Sequence, residues 1–367
     1  MAKRIKILYT IPNFDTAGSG KVVYDLVKYI DKTKFEPHIC CMHTKGKFFK
    51  EIEALDVPFH LFTVASKYRP FFTLPFRVLK TRKFFKKHKF DVIHSWHWSS
   101  DFTEPLAAKL SGIPFVYTKK AMGWGNKAWR WRSQLSSKII TINEDMKTQF
   151  FSNMTDKIEA IPIGLHTNDF GILEKSFSNA DGFSVEKDEF IIVSIANLVD
   201  VKGIEFLIEA AKQITSVKIK VFIVGDDSSD YAKGLKQQYE SSQIVFTGKK
   251  QDIKSYLALA DVFVIPTKDV GRKEGQPIAP IEAMLSGRTV LGSEISGIKD
   301  ILQPFQDCLF TSSSVESIKE KLEYIIQLDD NKRQDLARRM YDFAVENYNI
   351  EKSIAMHKNL YLNLIKS

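Results

Sequence analysis

Apolar residues along this chain fall into short, dense runs rich in Val, Ile and Phe, separated by longer stretches in which they recur every three or four positions. The dense runs read as strands buried on both faces, the spaced stretches as amphipathic helices. RIKILYTIP precedes a helical stretch over 21–30, DVIHSW one over 104–110 and KIITIN one over 144–151, with FVYTK and IEAIPIG as further strands. A polar stretch over 171–188 interrupts the pattern. It then restarts with FIIVSIANL, KGIEFLIEAAKQI, KVFIVGD, QIVFTG, IKSYLALA, DVFVIPT, PIEAMLSG, RTVLGS and CLFTS, and the tail from Ser314 reads as mostly helical. Alternating strand and helix predict an α/β fold, two Rossmann-like doubly wound domains facing a cleft. The expected domains are 1–180 and 185–349, with a last helix over 350–367 completing the first. The halves repeat an architecture, not a sequence.

Composition narrows this only where it departs from the ordinary. The 367 residues, 44% hydrophobic and 26% charged, suit two soluble domains, and no apolar run is long enough to cross a bilayer. The start, MAKRIKILYTIP, is basic then apolar like a secretory signal, but it alternates and lacks a small-residue cleavage site, so it is expected to be the first strand. Cys40, Cys41 and Cys308 have neither disulfide nor metal spacing, which predicts a reducing, cytoplasmic setting. Charge divides unevenly: residues 1–180 carry +13 and residues 181–367 carry −4. A polyanionic or membrane-surface partner is therefore expected for the first half.

Candidate chemistry lies at the ends of predicted strands. EGQPIAPIE places Glu274 and Glu282 after the strand ADVFVIPT, the second of them in a helix over 278–286. In an open α/β sheet ligands bind beyond the carboxyl ends of the strands, so two carboxylates there form a candidate clamp for a polyhydroxylated ligand. The plainer reading is an acid complementing a helix dipole. NLVDVKG puts Lys202 at the start of another helix, placed to hold a diphosphate, with Asn197 as a neutral donor on the strand end. A solvated surface lysine is the alternative. Gly18, Ser19 and Gly20 open a helix after the first strand and would let a phosphate approach backbone N–H groups, although they match neither GxGxxG nor a Walker loop. From Lys67 to Lys89 the chain interleaves aromatic with basic residues, either an interfacial helix for anionic lipid or an ordinary covering helix. No nucleic-acid module is recognisable, and nucleic acid is not an expected partner.

Taken in order, the AGSG loop, NLVDVKG, VGDD, FTGKKQDIKSYLALADVFVIPT, EGQPIAPIEAM and SGIKDIL resemble family 4 of the GT-B glycosyltransferases over nearly the whole chain. That resemblance implies a retaining enzyme that uses a nucleotide diphosphate sugar. By position, Glu282 matches the glutamate on the ribose and Glu274 the one on the transferred sugar. Lys202 matches the diphosphate lysine, and Gly248 and Lys250 lie in the segment that cradles the base. Gly275, Gln276 and Pro277 match the loop against the donor, and Gly18 to Gly20 the phosphate-facing loop. Two positions depart from the pattern: Asn197 stands where many relatives have arginine, and Lys120 where many have histidine. Lys119, Lys120 and AMGWGNKAW are candidates for a different subsite, and His97 for a substitute histidine, unless it simply packs between Trp96 and Trp98.

Cleaving a glycosyl phosphate leaves positive charge on the sugar and negative charge on the diphosphate, which carboxylates near one and Lys plus amides near the other would stabilise. No Asp-x-Asp triple occurs, so neither metal nor other cofactor is expected. The expected activity is hexosyl transfer to a glycan or lipid-linked acceptor in cell-surface polysaccharide or glycolipid synthesis, in the cytoplasm or peripherally on the inner face of the membrane. Two alternatives are a nucleotide-sugar epimerase of the same fold and a catalytically silent sugar-nucleotide-binding subunit.

Overall fold

The computed structural model describes residues 3–15, 17–46, 48–179, 181–271 and 273–366. The chain separates into two compact units, residues 1–164 with 350–367, and residues 165–349.

The first unit is built on a parallel sheet of β1 (Ile5–Thr10), β2 (Phe35–Cys41), β3 (Phe59–Leu61), β4 (Val92–Ser95), β5 (Phe115–Lys119), β6 (Lys138–Thr141) and β7 (Ile158–Ala160). Its order is β3-β2-β1-β4-β5-β6-β7, so the winding reverses between β1 and β4. Successive side chains of a strand face opposite layers. Ile7 and Tyr9 accordingly join a core with the helices Ala17–Tyr29 and Ile350–Lys366, whereas Leu8 faces the core beneath Leu74–His88 and Thr103–Ser111. The C-terminal helix is tied to this sheet by the Tyr361 hydroxyl, 2.7 Å from His94 Nδ1, and by Ser353 Oγ donating to the Pro162 carbonyl at 2.9 Å.

The second unit repeats the winding with β8 (Glu189–Ile195), β9 (Lys218–Val224), β10 (Ile244–Gly248), β11 (Val262–Ile265), β12 (Thr289–Ser293) and β13 (Leu309–Phe310), in the order β10-β9-β8-β11-β12-β13. Strands β8 and β11 pair through Ile192–Val262 and Val193–Phe263, leaving their carboxyl ends to diverge at the switch point. This is where an open parallel sheet forms a ligand crevice.

Three details differ from the sequence expectation. The units divide at Leu165, well before the polar stretch, because the Leu165 N–H bonds the Tyr348 carbonyl and the Leu173 N–H the Ser286 carbonyl. The first helix begins at Ala17, ahead of the expected stretch over 21–30, so Gly18, Ser19 and Gly20 open it from within its first turn. The aromatics of the basic segment do not share one face of its helix: Val78, Thr81 and Phe85 are buried and Phe84 turns inward against Phe62, while Phe76 and Leu79 stay exposed. All three cysteines are buried and unpaired. Among the described residues no helix is long and apolar enough to cross a membrane.

Candidate functional site

At the carboxyl end of β8 the chain makes a short turn, Asp200–Lys202, and enters the helix Ile204–Lys212 through Gly203. Gly203 has φ +64°, and a Cβ there would stand 2.3 Å from the Pro266 carbonyl oxygen beyond β11. Only glycine accommodates both the left-handed backbone and this approach. The Lys268 N–H donates to the Val201 carbonyl at 2.8 Å, lacing the two strand ends together. Lys202 is thereby held at the helix start with only 9% exposure. Sequence reasoning missed its neighbour Lys268, whose ammonium lies 2.8 Å from Asp200 and 2.6 Å from Glu205 and is occupied by them.

Glu282 sits in the first turn of the helix Ala279–Leu285 and is partly buried. Burial raises its pKa, with Lys254 opposing the rise. Gly275, Gln276 and Pro277 are buried just ahead of that helix. The side chain of Glu274 lies outside the described residues. Asn197 is exposed, its carbonyl accepting from the Val199 N–H at 2.9 Å. At the end of β10, Gly248 takes φ +73° and its carbonyl accepts from the Gly225 N–H. Lys250 pairs with Asp181 at 3.3 Å, and Tyr256 donates to the same carboxylate at 2.6 Å, so Lys250 is anchored at its own strand end.

The first unit gathers a second set at the carboxyl ends of β1, β4 and β5. Lys120 donates to Ser19 Oγ at 3.0 Å and to the Trp96 carbonyl at 2.5 Å, and its ammonium lies 5.3 Å from the Trp98 ring centroid. The helix carrying Gly18 to Gly20 and the loop carrying His97 are thus joined by one lysine. Lys119 turns the other way. Its ammonium binds the carbonyls of Ala121 and Gly123 and lies 4.0 Å from the Trp124 ring centroid, and burial pushes its pKa down to about 7. It braces the turn after β5. His97 is buried, with Nε2 lacking a partner among the described residues. Burial pushes its pKa down to about 4, against the pull of Glu104 and with Arg132 and Lys120 adding to the fall. The imidazole is therefore neutral at ordinary pH.

Beneath this edge lies an ion pair that sequence reasoning did not single out. Arg132 Nη2 is 3.2 Å from Glu104 Oε2, and both side chains are wholly buried. Glu104 reads in sequence as an acid in a helix's first turn, and nothing local announces Arg132 as its partner. Among the described residues no three His, Cys, Asp or Glu side chains are grouped so that they could hold a metal ion.

Comparison with known proteins yields two family models that together span most of the chain: Glycosyltransferase Family 4 over residues 16–169 and Glycosyl transferases group 1 over residues 178–343. The chain is 24% identical over 308 residues to the Escherichia coli UDP-Gal:alpha-D-GlcNAc-diphosphoundecaprenol alpha-1,3-galactosyltransferase, covering 77% of this chain and 78% of that protein. In fold it resembles a glycosyltransferase from Rickettsia africae (TM-score 0.81, 17% identity, all of both chains). It also resembles Anabaena HepE in complex with UDP (TM-score 0.79, 18% identity, 98% of this chain and 100% of that one).

Proposed function

Because the chain belongs to the GT-B-fold glycosyltransferases of family 4 type, we propose that it is a retaining, metal-independent enzyme whose second unit holds a nucleotide diphosphate sugar and whose first unit holds a lipid-linked glycan acceptor. The observation that carries the donor assignment is Lys202, nine-tenths buried at the β8 carboxyl end where the helix Ile204–Lys212 begins. A diphosphate there meets a lysine and free helix N–H groups together, which stabilises the charge that develops on the leaving group. Glu282, in the first turn of its own helix, is suited to accept from ribose hydroxyls, and the family resemblance assigns Glu274 to the transferred sugar. His97, neutral at its site, is a candidate to accept a hydrogen bond from an acceptor hydroxyl, with Lys120 beside it.

The lipid-linked acceptor draws support from the E. coli relative, whose name specifies a diphosphoundecaprenol acceptor. It also draws support from the segment Lys67 to Lys89. Phe71, Phe72, Phe76 and Leu79 are 59%, 79%, 75% and 50% exposed, and Lys67, Arg69, Lys80 and Lys83 are exposed beside them. Exposed aromatics flanked by cations suit the headgroup level of an anionic leaflet. Peripheral attachment to the cytoplasmic face of the membrane would bring the enzyme to such an acceptor.

The deciding experiment is calorimetric titration of UDP, GDP, ADP and their common sugars, in EDTA, into wild type and Glu282→Ala. One nucleotide class should bind in EDTA, with at least tenfold weaker binding in the variant. Equal binding by both proteins would remove Glu282 from the site, and binding that requires added metal would overturn metal independence.

A further inference from the structure

The Glu104–Arg132 pair does more than fill space. Glu104 Oε1 accepts from Thr10 Oγ1 at 2.5 Å, at the end of β1, and Oε2 accepts from Ser95 Oγ at 2.8 Å, at the end of β4. Arg132 reaches Ser95 Oγ through Nη2 at 2.8 Å and the Asp101 carbonyl through Nη1 at 3.0 Å. Its guanidinium lies 5.0 Å from the Tyr117 ring centroid and 5.3 Å from that of Phe115. Two charged side chains thus span the switch point between β1 and β4 and grip both ends of the segment 95–101. That segment carries Trp96, whose carbonyl receives Lys120, and His97, whose N–H points to Ser95 Oγ at a long 3.4 Å. The far end is held again by Asp101, whose carboxylate accepts from the Tyr68 N–H at 3.0 Å.

A wholly buried ion pair is a poor device for stability, since an apolar pair of similar volume often serves as well or better. It is a good device for geometry. The guanidinium fork fixes two acceptors in one plane, and each carboxylate oxygen fixes one hydroxyl. We infer that Glu104 and Arg132 are positioning residues of the acceptor side, clamping the segment 95–101 so that His97 and the Lys120 contact are presented in a single arrangement. This rests on the reading that the first unit holds the acceptor. Both side chains are wholly buried and act through Ser95 and Asp101.

The test replaces the pair by an apolar one, Glu104→Met with Arg132→Met, which leaves no unpaired buried charge, and compares it with Arg132→Lys, which keeps the charge without the fork. Four quantities are read on each protein: the melting temperature, UDP affinity, hydrogen exchange of the segment 95–101, and transfer from UDP-sugars to α-D-GlcNAc-diphosphoundecaprenol. Both variants should melt within a few degrees of wild type and bind UDP equally. Exchange over 95–101 should rise at least tenfold, with kcat falling at least tenfold. Wild-type exchange and turnover in a folded variant would overturn the inference, as would loss of fold and UDP binding together, which would make the pair purely structural. If wild type binds UDP but transfers nothing to this acceptor, the acceptor reading fails instead. The clamp is then decided by exchange alone: a tenfold rise supports it and no change overturns it.

Discussion

At the scale of single residues, the donor side depends most sharply on a position with no side chain. Gly203 combines a left-handed backbone with a 2.3 Å approach to the Pro266 carbonyl, and it directly follows Lys202. Alanine there carries strain of about 1–3 kcal/mol and must also push two backbone segments apart. Gly203→Ala is therefore expected to lower the unfolding free energy by at least about 1 kcal/mol and to weaken nucleotide binding more than tenfold, as read by urea denaturation and calorimetry. Gly18 supplies the contrast. A Cβ there meets nothing within 4 Å, inside the helix Ala17–Tyr29. Gly18→Ala should raise stability by about 0.5–1 kcal/mol, the ordinary gain of alanine over glycine in a helix. A loss of stability would mean that the first turn of that helix is not helical in solution.

At the scale of elements, much was legible in the sequence because parallel strands buried on both faces announce themselves as unbroken apolar runs. The runs DVFVIPT and KIITIN contain β11, VFVI, and β6, KIIT. The site was legible where it follows a strand end, as at Lys202 and Glu282. Legibility failed wherever a partner lies far along the chain: Glu104 is 28 positions from Arg132, and Leu165 finds Tyr348 only through the fold. The basic segment illustrates both cases. Its helix was evident, yet one of its cations is not available to a partner. Arg77 donates to the carbonyls of Lys67, Tyr68, Arg69, Pro70 and Thr73 and so fastens the preceding loop to the helix Leu74–His88. The exposed Phe71 and Phe72 are presented from a loop fastened in this way, which lowers the ordering cost of docking. Burying a phenylalanine side chain contributes about 1.5–3 kcal/mol, and partial insertion of two gives an effect that is easily measured. Phe72→Ser with Phe76→Ser should weaken binding to phosphatidylglycerol vesicles at least tenfold in a sedimentation assay, with nucleotide affinity unchanged. Equal binding by the variant would leave attachment to the lysines alone or remove it altogether.

At the scale of the whole molecule, the two units share a winding order but divide their titratable groups unequally. Seven of the eight histidines belong to the first unit, and His166 is the one in the second. Burial is the leading cause of a lowered pKa at His38, His60, His88, His94, His97 and His357, and it brings His60, His97 and His357 down to about 4. At His60 the imidazoles of His38 and His88 add to the fall: His38 Nδ1 is 3.0 Å from His60 Nε2, and the His60 and His88 ring centroids are 4.5 Å apart. Facing that cluster are Glu36, which favours the charged form of His38, and Lys6, Arg4 and Lys87, which oppose charge on the histidines. A base whose folded pKa lies below its unfolded value binds fewer protons when folded, so stability rises with pH across the interval between the two values. The contribution is complete above about pH 6.5 and is lost as pH falls towards 4. For the fully buried His97 and His357 it amounts to about 3 kcal/mol each. Calorimetry at pH 7.0, 5.5 and 4.5 should therefore resolve two transitions that separate on acidification, the first unit's falling more steeply. His357→Gln should flatten that fall, because it removes one buried base while keeping an amide donor at the position. Two transitions that shift in parallel, or a variant as acid-sensitive as wild type, would show that the buried histidines do not govern the acid limit of this unit.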